Sequence, residues 1–112
     1  MSFAMTTEQI KDRSKTVTRR FGWKFLKPGD ELWAVEKSMG LKPGEKVKRL
    51  AKIRVIDVRE ESLNMMPLTD CAKEGFPEMM PQDFMQMLIN HYSPKVTGSS
   101  IVNRIEFEYL DT

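Results

Sequence analysis

The sequence predicts an α+β domain in which a small curved or closed β-sheet carries short helices at its mouth or side. Segments typical of strands outnumber those with helical spacing. Lys-Pro-Gly turns at residues 27–29 and 42–44 interrupt the strand-rich region. No crossover helix is expected between residues 15 and 60, and this disfavours a purely parallel α/β sheet.

Four main strands are expected. The first covers residues 15–20, where a β-branched run favours an extended chain with side chains on alternating faces. The second covers 30–36, and the third covers 47–59 and is long enough to bend or split. The fourth covers 101–110 and alternates charged with apolar residues. A short strand at 2–5 is expected to open the chain.

Three helices complete the predicted elements. Thr6, with Gln9 three residues later, predicts a capping box at the start of a short helix that ends near residue 13. A second helix over 69–74 should end at Gly75, which takes the position after the C-cap. The third, over 81–92, has proline in its first turn and an apolar stripe of Phe84, Met87, Leu88 and His91 or Tyr92.

Length and composition indicate a single packed domain over residues 1–112, because no linker is long enough to divide the 112 residues. No run of about 18 apolar residues is present, so no membrane partner is expected. Residues 1–5 lack the apolar run of a signal peptide, and the single cysteine, Cys71, fits a reducing cytosol. We therefore expect a cytoplasmic protein. One histidine and one cysteine cannot form a structural zinc site, and neither a metal nor another cofactor is expected.

Charge is distributed unevenly along the chain. Residues 11–54 carry a net charge of +9, whereas residues 55–112 carry −6. A basic half favours polyanionic partners such as nucleic acids or nucleotides. The alternative is that both halves interleave in one fold and their charges pair.

The segment Lys15-Thr16-Val17-Thr18-Arg19-Arg20 combines three cations with two threonines. Cations beside hydroxyl groups suit phosphate or another polar ligand. The alternative is a solvated strand edge, where lysine and arginine discourage aggregation.

Four segments of the chain, in this order and spacing, resemble the ASCH domain family, a branch of the PUA-like superfamily. They are KTVTRR at 15–20, PGD at 28–30, EGFP at 74–77 and RIEF at 104–107. The resemblance spans nearly the whole chain and is greatest to small stand-alone ASCH proteins of bacteria and their phages. It implies a small PUA-like β-barrel with flanking short helices.

The resemblance also implies a function. ASCH domains are thought to bind RNA or nucleotides in a cleft between the barrel and the helices. Some members are amidohydrolases that remove the acetyl group from N4-acetylcytidine, and others are described as ribonucleases. Carried over from the amidohydrolases, the catalytic residues here are Lys15 as base, Thr18 as nucleophile and Glu74 as proton donor. Binding alone, amide hydrolysis and RNA cleavage all remain open at this point, as does the oligomeric state.

The chemistry sets two conditions on these residues. A threonine hydroxyl needs a base to become a nucleophile, and Lys15 can serve only if its pKa falls well below about 10.4. Lys15 and Thr18 would point to opposite faces of a regular strand, so a turn or bulge is required between them. The chain also carries inserts at 23–26 and 39–44 that the compact amidohydrolases lack, so the substrate does not transfer with the residues.

Further ligand contacts are expected near the cationic segment at 15–20 and at the cleft. Trp23 is expected to stack on a base, with a place in the core as the alternative. Arg104 either supports the cleft by pairing with a carboxylate or binds a phosphate. The remaining predicted ligand-binding residues are Thr16, Arg19, Arg20 and Lys24.

Overall fold

The computed structural model describes residues 1–37, 42–92 and 95–111. Within these residues, four antiparallel strands form one curled half-barrel sheet in the order β1-β4-β3-β2. The long strands β3 and β4 pair at the centre, and β1 and β2 lie at the edges. The strands are β1 (Val17–Arg20), β2 (Glu31–Val35), β3 (Arg49–Ser62) and β4 (Ile101–Leu110).

Short helices flank this sheet. They are α1 (Thr7–Lys11), α2 (Leu68–Lys73) and α3 (Pro81–Tyr92), with 3-10 turns at Ala4–Thr6 and Leu63–Met65. The predicted α+β class, with a small curved sheet and flanking short helices, is therefore confirmed. No helix among residues 1–37, 42–92 and 95–111 combines the length and apolar character needed to cross a bilayer.

The predicted bend of the third strand has a specific cause. The register between β3 and β4 shifts between Val55 and Asp57, so Ile56 is an extra residue on β3. Such a bulge bends its strand and increases the local twist. Ile56 is exposed, while Val55 packs in the core beside Leu26 and Ile105.

Both Lys-Pro-Gly segments form turns. Asp30 N donates to Lys27 O at 3.0 Å, and Gly29 has a φ of +96°, which fits a type II turn with Pro28 before the glycine. In the second turn Glu45 N donates to Lys42 O at 2.9 Å. Residues 39–41, at the start of the insert at 39–44, lie outside the described residues.

Two predictions about the N-terminal segment are wrong. The expected strand at 2–5 is reduced to a single bridge between Ser2 and Val35, because a 3-10 turn begins at Ala4 and leaves no room for a ladder. Thr6 does occupy the N-cap of α1, but its side chain makes no capping hydrogen bond. The Gln9 amide instead donates to Gly75 O at 3.3 Å, so a tertiary contact replaces the capping box.

Apolar side chains cover both faces of the sheet. On one face Val102 packs with Leu88 and the rest of a cluster completed by Leu63, Met66, Cys71 and Phe84. On the other, Phe107 packs with Phe3 in a cluster completed by Ile10, Ala34 and Ile53. Val102 and Phe107 are separated by an odd number of positions on β4, so they point to opposite faces. Consequently α2 and α3 cover one face, and α1 with the N-terminal segment covers the other.

Candidate functional site

A cavity of about 190 Å³ opens between the N-terminal segment, β1, the end of α2 and one face of α3. The three residues predicted as catalytic, Lys15, Thr18 and Glu74, all line it. Arg19 and Arg20 line it as well, and they complete a polar wall. The opposite wall is largely apolar and includes Phe76, Phe84, Met87 and Leu88.

Lys15 and Thr18 reach the same cavity because Lys15 precedes the strand. β1 begins only at Val17, so the alternation of a regular strand does not apply between residues 15 and 18. The backbone there is fixed by other contacts: Lys15 N donates to Gln9 O at 3.2 Å, and Thr16 N donates to Lys73 O at 2.7 Å. Because β1 begins only at Val17, Lys15 and Thr18 can line the same cavity, as the predicted site requires.

Lys15 is held by Glu74 at two points. Its Nζ donates to the carboxylate Oε1 and to the backbone carbonyl of Glu74, both at 2.8 Å. The second carboxylate oxygen accepts from Arg19 Nη1, also at 2.8 Å. Lys15 is 4% exposed and Glu74 is 1% exposed, so this ion pair is buried. A protonated lysine has three N–H groups, and Glu74 uses two of them.

The end of α2 places Glu74 at this point. Glu74 is the C-cap, and Gly75 follows it with a φ of +101°. Phe76 N donates to Cys71 O at 2.8 Å, and Gly75 N donates to Ala72 O at 3.0 Å, which is the Schellman pattern. The predicted helix end at Gly75 is therefore correct, and it turns the Glu74 side chain toward Lys15.

Beneath this ion pair lies a second carboxylate, Asp70, which is not among the predicted site residues. Its oxygens accept from Arg104 Nε at 2.8 Å and from Arg104 Nη2 at 3.2 Å, and it also accepts from Arg19 Nη2. Arg19 in addition donates to Glu61 at 2.7 Å. Asp70 precedes Glu74 by four residues, so helical spacing places both carboxylates on one side of α2. This four-residue spacing is the sequence pattern from which a role for Asp70 beside Glu74 could have been predicted.

The electrostatics of the two buried groups differ. Burial raises the pKa of Asp70, but the hydrogen bonds from Arg104 and Arg19 outweigh it and lower that pKa to about 2. For Lys15 burial dominates and lowers the pKa below its ordinary value; Glu74 opposes this in part, and the charges of Arg20 and Arg19 reinforce it. The shift at Lys15 has the direction that a base requires.

Arg20 is a different kind of cation. Its Nε donates to Thr18 Oγ1 at 3.1 Å, and its Nη2 donates to Ser2 O. Its guanidinium lies 4.6 Å from the centre of the Phe3 ring. Within the described parts of the chain, Arg20 forms no ion pair with a carboxylate. It therefore presents a cavity-lining charge that an anionic ligand could neutralise.

Aromatic side chains stand at one end of the cavity. His91 and Tyr92 line it and are exposed, and their rings lie edge to face at 4.7 Å. Phe21 packs edge to face against Tyr92 at 5.1 Å. Helical spacing predicts only that His91 or Tyr92 belongs to the apolar stripe of the third helix, and it predicts no ligand contact for either.

Four residues predicted to bind ligand do not line this cavity. Thr16 is half-buried and uses its backbone to join α2 and β4. Trp23 packs beside Leu26 in the core and against Phe25, with ring centres 5.6 Å apart. Lys24 is exposed, and Arg104 pairs with Asp70, as in the supporting alternative. Ligand roles for these four residues stay predictions.

Among the described residues, no group of three or more histidine, cysteine, aspartate or glutamate side chains is arranged to hold a metal ion.

No protein-family model and no curated protein match this sequence. Solved structures that are similar to it in three dimensions include the following two. The crystal structure of an ASCH domain from Lactobacillus crispatus JV V101 has a TM-score of 0.71 and 13% identity, over 94% of this chain and 70% of that one. Protein EF3133 from Enterococcus faecalis V583, described by the family model DUF984, has a TM-score of 0.64 and 14% identity, over 96% of this chain and 71% of that one.

These likenesses extend along almost the entire chain, and at such low identity they establish the fold alone. They agree with the half-barrel sheet, the flanking short helices and the resemblance carried by the four sequence segments. The chain therefore has an ASCH-like fold, a small α+β fold with a curled half-barrel sheet and flanking short helices.

Proposed function

We propose that the protein binds a nucleoside, or a single unpaired nucleotide of RNA, in the cavity beside β1. One observation carries this proposal: Lys15, Thr18 and Glu74 line one cavity together with Arg20, a cation that has no carboxylate partner in the described chain. The ASCH-like fold supports it, because the family is thought to bind RNA or nucleotides.

The size and lining of the cavity suit one base. Ligand sites usually enclose about 300–1,000 Å³, and this cavity, at about 190 Å³, lies below that range. Its apolar wall, with Phe84 and Leu88, can cover the face of a base, while Thr18 and Lys15 offer hydrogen bonds to its edge. A folded duplex is too large for such a space, so the ligand should be a free nucleoside or an extruded nucleotide.

The charge of Arg20 suggests how a nucleotide would be oriented. Its guanidinium is fixed by Thr18, Ser2 and the Phe3 ring, so little freedom is lost when an anion binds. A phosphate at Arg20 would place the sugar near Thr18 and direct the base toward α3. Nucleotides should consequently bind more tightly than the matching nucleosides.

Amide hydrolysis is the second candidate, and the buried Lys15 amine favours it. Lys15 in its neutral form would take the proton of the Thr18 hydroxyl, and Thr18 Oγ1 would attack the acetyl carbon of a base such as N4-acetylcytidine. The C–N bond then breaks, the exocyclic nitrogen receives a proton, and the acetyl group remains on Thr18. Water releases it as acetate and restores the hydroxyl.

The hydrogen bonds of Glu74 bear on the source of that proton. The resemblance implies Glu74 as donor, yet both of its oxygens accept from cations, Lys15 and Arg19. Protonating Glu74 would weaken one of these buried ion pairs. Lys15 carries the proton taken from Thr18, so it can deliver that proton to the leaving nitrogen. In this scheme Glu74 positions Lys15.

Calorimetric titration tests the binding proposal. Cytidine, cytidine monophosphate and N4-acetylcytidine are titrated into the wild-type protein and the variant Arg20→Gln, with Lys73→Gln as a matched control on the exposed surface. We expect saturable binding, a preference for the monophosphate, and loss of that preference in Arg20→Gln alone. Absence of binding by all three ligands at millimolar concentration would overturn the proposal. Chromatography of the same mixtures, and of a short RNA, reports acetate release or strand cleavage.

A further inference from the structure

A second cavity, of about 300 Å³, lies where β3 begins and β4 ends, next to α1. Four cations and one carboxylate line it: Lys11, Arg13, Arg49, Lys52 and Asp111. Trp33, on the edge strand β2 next to β3, also lines it. We call this the basic groove. None of its residues lines the cavity beside β1.

Trp33 fixes two of the cations. The Arg49 guanidinium lies 4.6 Å from the centre of the Trp33 ring, and Lys52 Nζ lies 5.7 Å from it. Trp33 pairs with Lys52 across β2 and β3, so the two side chains share a face of the sheet. Because Arg49 occupies a face of the ring, the indole serves as a support for cations rather than as a free platform for a base.

The charges of the basic groove are weakly compensated. In the described part of the chain Arg49 forms no ion pair with a carboxylate. Lys11 pairs with Glu8 at 3.5 Å, Arg13 with Asp111 at 3.1 Å and Lys52 with Glu31 at 3.6 Å, but the side chains of these carboxylates are 82%, 95% and 45% exposed. Exposed ion pairs of this kind are weak and are readily exchanged for another anion.

We propose that the basic groove binds the phosphates of single-stranded RNA, as a second site separate from the cavity beside β1. This rests on the proposed function, because it extends a nucleotide ligand to a polymer. Four cations that line one groove, with carboxylate partners that are exposed, suit a nucleic-acid backbone, whose phosphates can replace those partners. The groove would contribute affinity without base preference, and the cavity would select the nucleotide.

The test compares two double variants that lose the same charge. Lys11→Gln with Arg49→Gln removes two exposed cations of the groove, and Lys27→Gln with Lys73→Gln removes two exposed cations that line neither cavity. Binding of a fluorescent single-stranded RNA of about ten nucleotides is measured at several salt concentrations between ~50 and ~200 mM. Thermal melts check that all variants are folded.

We expect the groove variant to bind the RNA roughly tenfold more weakly than wild type at low salt. A plot of the logarithm of the binding constant against the logarithm of the salt concentration should also be less steep, its negative slope smaller in magnitude by about 1. The Lys27 and Lys73 variant should stay near wild type. Equal affinity and slope in both variants would overturn the proposal, and so would competition by polyglutamate as effective as that by unlabelled RNA, since the groove would then accept acidic protein chains.

The same variants separate this proposal from the proposed function. Cytidine monophosphate should bind the groove variant as it binds wild type, because that ligand is assigned to the cavity. If no mononucleotide binds any protein while the groove variant still loses RNA affinity, the groove assignment stands and the cavity assignment fails. If mononucleotides bind and the groove variant keeps full RNA affinity, the cavity assignment stands and the groove assignment fails.

Discussion

Lys15 Nζ donates to both the carboxylate and the backbone carbonyl of Glu74, each at 2.8 Å, although 59 positions separate the two residues. A single residue at the end of α2 thereby fixes the amine of Lys15, two residues before β1 begins. The carboxylate of Glu74 supplies the charge opposite to that of the Lys15 amine, and its backbone carbonyl accepts a second hydrogen bond that sets the direction in which the amine points. The position of Lys15 in the cavity thus depends on how α2 ends.

Glu74→Gln should destabilise the protein by about 3–5 kcal/mol, because it leaves the buried charges of Lys15 and Arg19 without their shared partner. Urea denaturation measures the free energy of unfolding. Glu78→Gln is the control, since Glu78 is exposed and makes no ion pair in the described chain. A loss below about 1 kcal/mol for Glu74→Gln would show that the ion pair is dispensable for folding.

Gly75→Ala should be more damaging than Gly29→Ala. Both glycines have a φ near +100°, so both alanines meet the same backbone penalty of about 1–2 kcal/mol. A Cβ at Gly29 would have no neighbour within 4 Å, whereas one at Gly75 would lie 2.7 Å from Gln9 Cγ. The extra loss at Gly75 should be about 1–3 kcal/mol. Equal unfolding free energies in the two variants would refute the close contact with Gln9.

Acid should lower the free energy of unfolding, because Asp70 becomes protonated as the pH falls. Its pKa is lowered from 3.8 to about 2 in the folded state, so the folded protein holds fewer protons at Asp70 than the unfolded chain between these values. The resulting stabilisation, about 2 kcal/mol, is present above pH 3.8 and is lost as the pH falls to about 2. The stability difference between wild type and Asp70→Asn should shrink over that interval. A difference independent of pH would contradict the assignment.

If the protein hydrolyses N4-acetylcytidine, Lys15→Arg should abolish turnover, because arginine cannot accept a proton at neutral pH. Thr18→Ala should do the same by removing the nucleophile, while weakening ligand binding by only about 0.5–1.5 kcal/mol. The wild-type rate should rise with pH and level off below the ordinary lysine pKa of 10.5, since burial favours neutral Lys15. Chromatographic rates decide this, and turnover in either variant near that of wild type would sink the mechanism.

Local sequence chemistry predicts much of this fold. The Pro-Gly turn at 27–30, the helix end at Gly75 and the start of α3 at Pro81 each follow from the backbone preferences of proline and glycine. The same locality explains the errors. Gln9 has the right spacing for a capping box, but it donates to Gly75, which lies 66 positions along the chain and becomes a neighbour only after folding.

The candidate site, too, is predicted only in part from the sequence. The resemblance named Lys15, Thr18 and Glu74, although strand alternation alone predicts that the first two diverge; the late start of β1 at Val17 removes that conflict. The four-residue spacing places Asp70 on the same side of α2 as Glu74, but it does not predict the partners of Asp70, because Arg19 and Arg104 reach it from two different strands. Contacts between distant segments depend on the packed sheet, and no local pattern records them.

Mapping of a bound nucleotide onto the backbone tests the cavity assignment most directly. Amide chemical shifts of ¹⁵N-labelled protein are followed by NMR while cytidine monophosphate is added to about 5 mM. We predict saturable changes at Lys15, Thr18, Arg20 and Gly75, and along the face of α3 that carries Leu88. Absence of saturable changes there, or changes confined to the basic groove around Arg49, would contradict binding in the cavity beside β1.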